Sequence, residues 1–396
     1  MDIYYEQATE QSQTMDAEVL KTHYPRDNNA KILSFVIQED PNLLLDLNSI
    51  SLKFSVEIPN GFLPENGFGC KQFKNMSIEL NSQLITSNKS SNELALIDYI
   101  ILLGNFDVSY MTTGFYSAGH FDQNNVNTSE LATAEQLLAG EISRASLRDI
   151  NSPSEALVTY DFIFRPPCGL LNSKKPLITG TEMTLSFDRA VSDLSLIAKK
   201  DVSTSKLLGK AFDLKNVHMT ARYYSTPILR NYFSQIQSKS ISYYYDEIQV
   251  YHKNLPQGET NIRLSNILGG NTPSYVFAGV IESDALVGSK LLSSTCFQRH
   301  NVDEFDLTLN GQSLNGFPIT SNGGCPLNVY DKFLCTTDRK FMNSCGGMID
   351  PAHFKTSNYL YSHKFNNEIS ESGWLGINLK LSEAYDTNYV LGNSSY

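Results

Sequence analysis

The phrase "KNMSIELNSQLITS" (Lys74 to Ser87) returns as "FDLTLNGQSLNGFPI" (Phe305 to Ile319), and this repetition is what most limits the folds open to the chain. In both places an alternating apolar run ends in Leu-Asn, a small residue follows, and Gln opens a second run. Alternation with period two is the pattern of a half-buried strand. Asn310-Gly311 is the dipeptide favoured in a two-residue type I′ hairpin, because both central residues need positive φ, which Asn tolerates and Gly adopts freely. Asn81-Ser82 keeps the Asn and replaces the Gly, so that turn is expected to be more strained or more open. The four residues Asn81, Ser82, Asn310 and Gly311 are the structural turn positions read from the sequence.

A second echo follows in the same order. Met183, Leu185, Phe187 and Ala190 match Ile377, Leu379, Leu381 and Ala384 at a shift of 194 (377 minus 183), against 229 (310 minus 81) for the first. A longer insertion in the first half accounts for the smaller shift, and the Ser-, Thr-, Asn- and Gly-rich stretch from Asp107 to Leu157 is the place for it. Two tandem copies of one β domain explain both echoes. At 396 residues the chain has room for two domains of about 200 residues each.

Other strand patterns are "KILSFVIQED", "ISLKFSVEI", "ALVTYDFIFRPP", "TEMTLSFDRAVSD", "LKNVHMTARYYS" and "SYVFAGVIES". Helical spacing marks Ser91 to Phe106, then "TSELATAEQLLAGEISRAS" (Thr128 to Ser146) inside the decorated loop, and "TPILRNYFSQIQSKS", where Pro stands at a helix start. The expected division is a flexible arm over 1–30, a first β domain over 31–200, a Ser- and Lys-rich linker over 201–212 and a second β domain over 213–396.

Hydrophobic residues at 41% allow a core, and 21 Tyr with 21 Phe favour strands. A net charge of -11, with acids outnumbering bases in the first thirty residues, leaves no basic arm for phosphates, so specific nucleic-acid binding is not expected. There is no apolar run of about 18 residues and no positive region followed by an apolar one at the amino terminus, so neither a membrane span nor a signal peptide is expected. Six cysteines without any C-x-x-C pair read as reduced structural thiols rather than a zinc or redox motif. No G-x-S-x-G, no phosphate-binding glycine loop and no His pair at i, i+4 occurs. Neither catalysis nor a cofactor is expected.

Several stretches are similar to one family. "FAGVIESDALVGSKLLSSTCFQRHNVDEFDLTLNGQSL" (Phe277 to Leu314), "HMTARYYSTPILRNYF" and "DNNAKILSFVIQEDPNLLLDLNSISLKFSVEI" resemble segments of the major capsid proteins of Polinton (Maverick) elements and adintoviruses, distant relatives of the adenovirus hexon. Ser283 to Ser289 takes the place of a Val-Asp-Asn-Asp-Ala-Phe-Asn-Gly-Ser segment of that family, and Asn310-Gly311-Gln312 that of its Asp-Gly-Gln turn. The likeness runs in order over about residues 16 to 391 and departs over Pro326 to Phe354. It implies an all-β double jelly roll, two eight-stranded antiparallel sandwiches. It further implies a virion protein forming homotrimeric, pseudo-hexameric capsomers that tile an icosahedral shell, with a single jelly-roll penton protein and minor capsid proteins as partners. Two other readings of a duplicated β sandwich stay open: a receptor- or carbohydrate-binding module, and a bicupin enzyme, which needs clustered His and Glu ligands.

Overall fold

The computed structural model describes residues 17–27, 30–38, 40, 43–59, 62–64, 67–88, 157–173, 175–177, 180–190, 195–198, 212–225, 242, 243, 245, 248–267, 273–287, 295, 297, 299–314, 318–320, 327–337, 354, 359–365, 373–385 and 389–395. The helices expected at 91–106 and 226–240, the decorated loop over 107–156, residues 1–16 of the arm and 201–211 of the linker lie outside these residues.

The first part of the chain forms β1 (Ala17–His23), β2 (Ile32–Ile37), β3 (Leu44–Pro59), β4 (Phe62–Pro64), the one-turn helix α1 (Phe68–Lys71), β5 (Phe73–Leu80), β6 (Gln83–Asn88), β7 (Leu157–Phe164), β8 (Met183–Arg189), β9 (Leu196–Ala198) and β10 (Leu214–Ser225). The second part forms β11 (Gln249–Leu255), β12 (Asn261–Leu264), β13 (Tyr275–Glu282), α2 (Ser283–Val287), β14 (Val302–Leu309), β15 (Gln312–Ser313), β16 (Ile319–Thr320), α3 (Leu327–Thr336), β17 (Tyr361–Lys364), β18 (Leu375–Leu381) and β19 (Tyr389–Ser395).

Antiparallel pairing arranges these strands as the same object twice. One sheet has the order β1-β10-β3-β7 and its counterpart β11-β19-β13-β17; the other has β2-β8-β5-β6 and its counterpart β12-β18-β14-β15. The small ladder β4-β9 and the pairing of β16 with β14 stand outside that scheme. Counting only the eight main strands of each unit, strands one, eight, three and six share one sheet, and two, seven, four and five share the other. This is a jelly roll, and the chain contains two in tandem.

The pairing corrects the expected boundaries. Ala17 to His23, expected within the arm, is paired along its length with β10, from Ala17 opposite Ser225 to His23 opposite Met219. β10 in turn pairs with β3, Met219 lying opposite Leu52. The strand expected to open the second domain therefore closes the first jelly roll, as its eighth strand. The Ser- and Lys-rich composition before it marks a connection inside that unit.

Alternation builds the core. Leu33, Phe35 and Ile37 of β2, Val158, Tyr160, Phe162 and Phe164 of β7, and Met183, Leu185 and Phe187 of β8 are buried while their neighbours are less so. Phe73 meets Phe54 and Phe164 across the first sandwich and Phe187 of its own sheet, with ring centroids 5.1 to 6.1 Å apart. In the second, Phe305 and Tyr361 stack at 3.9 Å between opposing sheets. Such contacts add about 0.5–1.5 kcal/mol each beyond the area they bury.

β3 carries an irregularity that its own polar residues satisfy. The register with β10 shifts between Thr220 and Arg222. There the Ser49 hydroxyl donates to the Asp46 carbonyl at 2.7 Å and accepts the Arg222 N–H at 2.8 Å. The excursion thus keeps the Arg222 amide paired where the ladder is interrupted.

The two units differ on the outer side of the β11-β19-β13-β17 sheet. β13 is buried on both faces. α3 packs over this sheet, mainly against β17, and its Phe333 reaches Phe277 of β13 at 6.5 Å and Phe354 at 5.2 Å. Gly279 belongs to the same packing. A Cβ there would run into the Phe297 ring and come 2.8 Å from Leu360. α3 falls in the stretch where the family likeness breaks off, and the sequence pattern did not announce it.

Candidate functional site

The duplicated phrases form two tight hairpins at corresponding corners. Leu80 pairs with Gln83 across Asn81-Ser82, and Leu309 with Gln312 across Asn310-Gly311. Both turns have positive φ at both central residues: 49° and 65° for Asn81 and Ser82, 53° and 81° for Asn310 and Gly311. The Ser-containing turn is therefore as closed as the Gly-containing one. Its strain lies in Ser82, which holds a left-handed conformation that glycine adopts at lower cost.

Each turn grips the segment entering the seventh strand of its jelly roll. Asn81 donates its backbone N–H to the Glu182 carbonyl at 2.9 Å, and its Oδ1 accepts the Glu182 N–H at 2.8 Å. Asn310 does the same to Trp374, at 2.9 and 3.0 Å. The Asn side chain extends the ladder by one rung beyond the paired strands. Glu182 and Trp374 were not singled out from the sequence; their signal was position, each standing immediately before an apolar alternating run. The two turns belong to separate sheets and share no common site.

Around this shared frame the surfaces differ. At the first clamp Gln38, Asn81, Gly180 and Glu182 line an open polar depression of about 340 Å³. At the second, Trp374 is 44% exposed and lies over glycine: a Cβ at Gly311 would sit 3.5 Å from its ring, and one at Gly376 3.6 Å. A Cβ at Gly373 would come 2.8 Å from both Oδ1 and Nδ2 of Asn310, so the clamp needs a glycine there.

Groups with displaced acidity are dispersed. Burial pushes the His300 imidazole down to about 4, and the ring packs 4.9 Å from Tyr389. Burial also lowers His23 and His363, the former with help from Lys21 and the latter from Lys332. Glu282 is raised by burial and by Asp284. Among the described residues no group of three or more His, Cys, Asp or Glu side chains could hold a metal ion. Cys70 and Cys168 are buried and Cys335 is exposed on α3. Among the described residues no helix is long and apolar enough to cross a membrane. What the paired corners do is mechanical: they lock the turn between strands four and five to the start of strand seven.

No family model matches the sequence, and no curated protein matches it. Solved structures do match the fold. The 3.5 Å cryo-electron microscopy structure of the Sputnik virophage aligns with a TM-score of 0.59 at 10% identity, over 96% of this chain and 85% of that one. PBCV-1 VP54, fitted into a reconstruction of the same virophage, gives 0.54 at 11% identity, over 96% and 94%. The mavirus major capsid protein gives 0.50 at 12% identity, over 95% and 86%. At such identities the likeness is one of fold, and it spans both jelly rolls.

Proposed function

We propose that the protein is a viral major capsid protein with a structural and non-enzymatic role in the virion. The observation that carries this reading is the tandem pair of jelly rolls with identical strand order, a fold shared over 85% of the Sputnik virophage chain and 86% of the mavirus major capsid protein. A subunit built of two like units has two like flanks, and three such subunits in a closed ring present six similar lateral faces to their neighbours. The protein is accordingly a homotrimer with a pseudo-hexameric outline, needs no cofactor, and tiles an icosahedral shell. A single jelly-roll penton protein and minor capsid proteins complete that shell as partners. The quoted likeness to Polinton and adintovirus capsid proteins supports a double-stranded DNA element or virus of that type. The jelly rolls run over 17–225 and 249–395, and the four turn residues serve them as structural fasteners.

Negative-stain imaging with mass photometry of the purified protein tests the reading. The expected result is a trimer with a six-sided outline at micromolar concentration. A species that is monomeric at every concentration, or a hydrolytic or oxidative activity abolished by chelation, overturns it.

A further inference from the structure

We infer that the amino-terminal strand β1 is an acid-released latch: protonation of His23 loosens the seam between β1 and β10, and the strand leaves while the rest of its jelly roll stays folded.

The seam is held by polar contacts more than by apolar burial. Among the described strands β1 pairs only with β10 and forms one edge of its sheet. Its apolar side chains are poorly covered, Val19 being 37% and Leu20 64% exposed. On the face turned toward the sandwich, Lys21 and His23 flank Tyr223 of β10. The Lys21 ammonium lies 4.6 Å from the Tyr223 ring centroid and 2.7 Å from Asp40 of the connection between β2 and β3. His23 Nε2 is 3.3 Å from the Tyr223 hydroxyl. On the opposite face Glu18 pairs with Arg222 at 3.0 Å, and Tyr24 lies 6.2 Å ring to ring from His218, whose Nδ1 is 2.7 Å from the Asn216 carbonyl. Half-exposed ion pairs of this kind contribute about 0–1 kcal/mol each. Beyond its backbone ladder with β10 the strand is therefore bound by a small margin, and β10 keeps its second partner, β3, when β1 departs.

Among the described residues the inner face sets two basic side chains, Lys21 and His23, against the carboxylate of Asp40. Burial pushes the Tyr223 hydroxyl up to about 12, so it stays neutral, and it shares a hydrogen bond with His23 Nε2. A protonated imidazole can only donate to that hydroxyl, and it sets a second cation beside Lys21, with Asp40 the carboxylate that answers both among the described residues. His23 in the docked strand is lowered, by burial first and Lys21 second, whereas the released strand returns it to the ordinary value of about 6.5. The released state therefore binds more protons below about pH 6.5, and docking weakens as pH falls from there toward the docked value.

Hydrogen exchange of the full chain, corrected for intrinsic rates, tests this at about pH 7.5 and 5.5. Each unit by which docking lowers the imidazole is worth up to tenfold in opening. The expected result is a loss of protection in 17–23, at most about tenfold, relative to 73–80 on acidification, and no such differential loss in His23→Gln. The inference is overturned if 17–23 keeps its protection, if both segments lose it in parallel, or if His23→Gln shows the same loss. Should that variant not fold, Lys21→Met serves, and must make the loss smaller, because without that cation the docked imidazole lies nearer its released value. The readout concerns one strand of one chain, so its outcome is independent of whether trimers form.

Discussion

Asn81 and Asn310 make the same two hydrogen bonds in two different sheets, each donating its N–H to the residue ahead of strand seven and accepting that residue's N–H on Oδ1. The same offsets relate other bonds. Arg189 donates to the Lys31 carbonyl as Leu381 does to Thr260, and Ala190 donates to Gln72 as Ser382 does to Asn301. Residues before the decorated loop thus map forward by 229 (260 minus 31) and residues after it by 192 (381 minus 189). Two jelly rolls that agree bond for bond at this corner are copies of one plan.

If the Asn side chain is the fastener, Asn310→Gly keeps the turn and removes one hydrogen bond, at a cost of about 1 kcal/mol. Asn310→Ala loses the same bond and must also hold a left-handed backbone, adding about 1–2 kcal/mol. Asn81 should give the same ranking. Chemical denaturation midpoints of the four variants check this, and equal costs for Gly and Ala would remove the role of the backbone.

The turns give a paired expectation of opposite sign. Ser82→Gly relieves a residue at φ 65° and should be neutral or stabilising by a few tenths of a kcal/mol. Gly311→Val puts a β-branched side chain at φ 81° and should cost about 1–3 kcal/mol. Space is not the limit at Gly311, since the added Cβ would only touch Trp374 at 3.5 Å. Thermal melts of both variants decide it.

These two turns were legible because their chemistry is local: a two-residue hairpin demands Asn or Gly, whatever lies around it. The second echo was legible only modulo two. The pattern aligned Met183 with Ile377, whereas the pairing sets Met183 opposite Leu80 and Leu375 opposite Leu309, so Met183 corresponds to Leu375 and Ala190 to Ser382. A slip of two residues keeps every side chain on its face, so alternation cannot detect it. β1 was missed because an edge strand with exposed Leu20 and Glu18 reads as polar arm. β10 was given to the wrong unit because its partners, β1 and β3, lie about 170 to 200 residues away, a distance that no window of sequence spans. α3 stayed invisible because what covers its apolar face is the sheet of β13 and β17, with β17 its main contact.

Gly373 and Asn310 should be coupled. Gly373→Ala forces a methyl to 2.8 Å from the Asn310 amide and should cost about 1–3 kcal/mol. With Asn310→Gly in place that amide is gone and the same substitution should cost much less, a coupling of about 0.5–3 kcal/mol in a double-mutant cycle. Additive effects would mean that Gly373 is required by something other than the clamp.

Assembly, on the proposed reading, should respond to salt. Chains of net charge -11 repel one another, and raising ionic strength from about 0.15 to 1 M shortens the screening length from about 8 to 3 Å. Capsomer association, followed by light scattering, should strengthen over that range. Weakening would indicate that oppositely charged faces drive the contact.

His300 makes the fold acid-sensitive in a way that can be separated from β1. Its imidazole sits at about 4 in the folded chain because burial disfavours the cation, against about 6.5 when unfolded. Below about pH 6.5 the unfolded chain takes up a proton that the folded chain refuses, so stability is full above that value and falls as pH drops toward 4. At pH 5 the loss from this residue amounts to roughly 2 kcal/mol. Urea unfolding at pH 7 and pH 5 should show it as a lower midpoint, together with smaller losses of the same sign from His23 and His363. His300→Asn also holds a left-handed backbone readily, in keeping with φ 46° at this position. It should remove most of the difference between the two pH values, whatever it does to stability at pH 7. An unchanged difference would mean that the ring reaches water in the folded state.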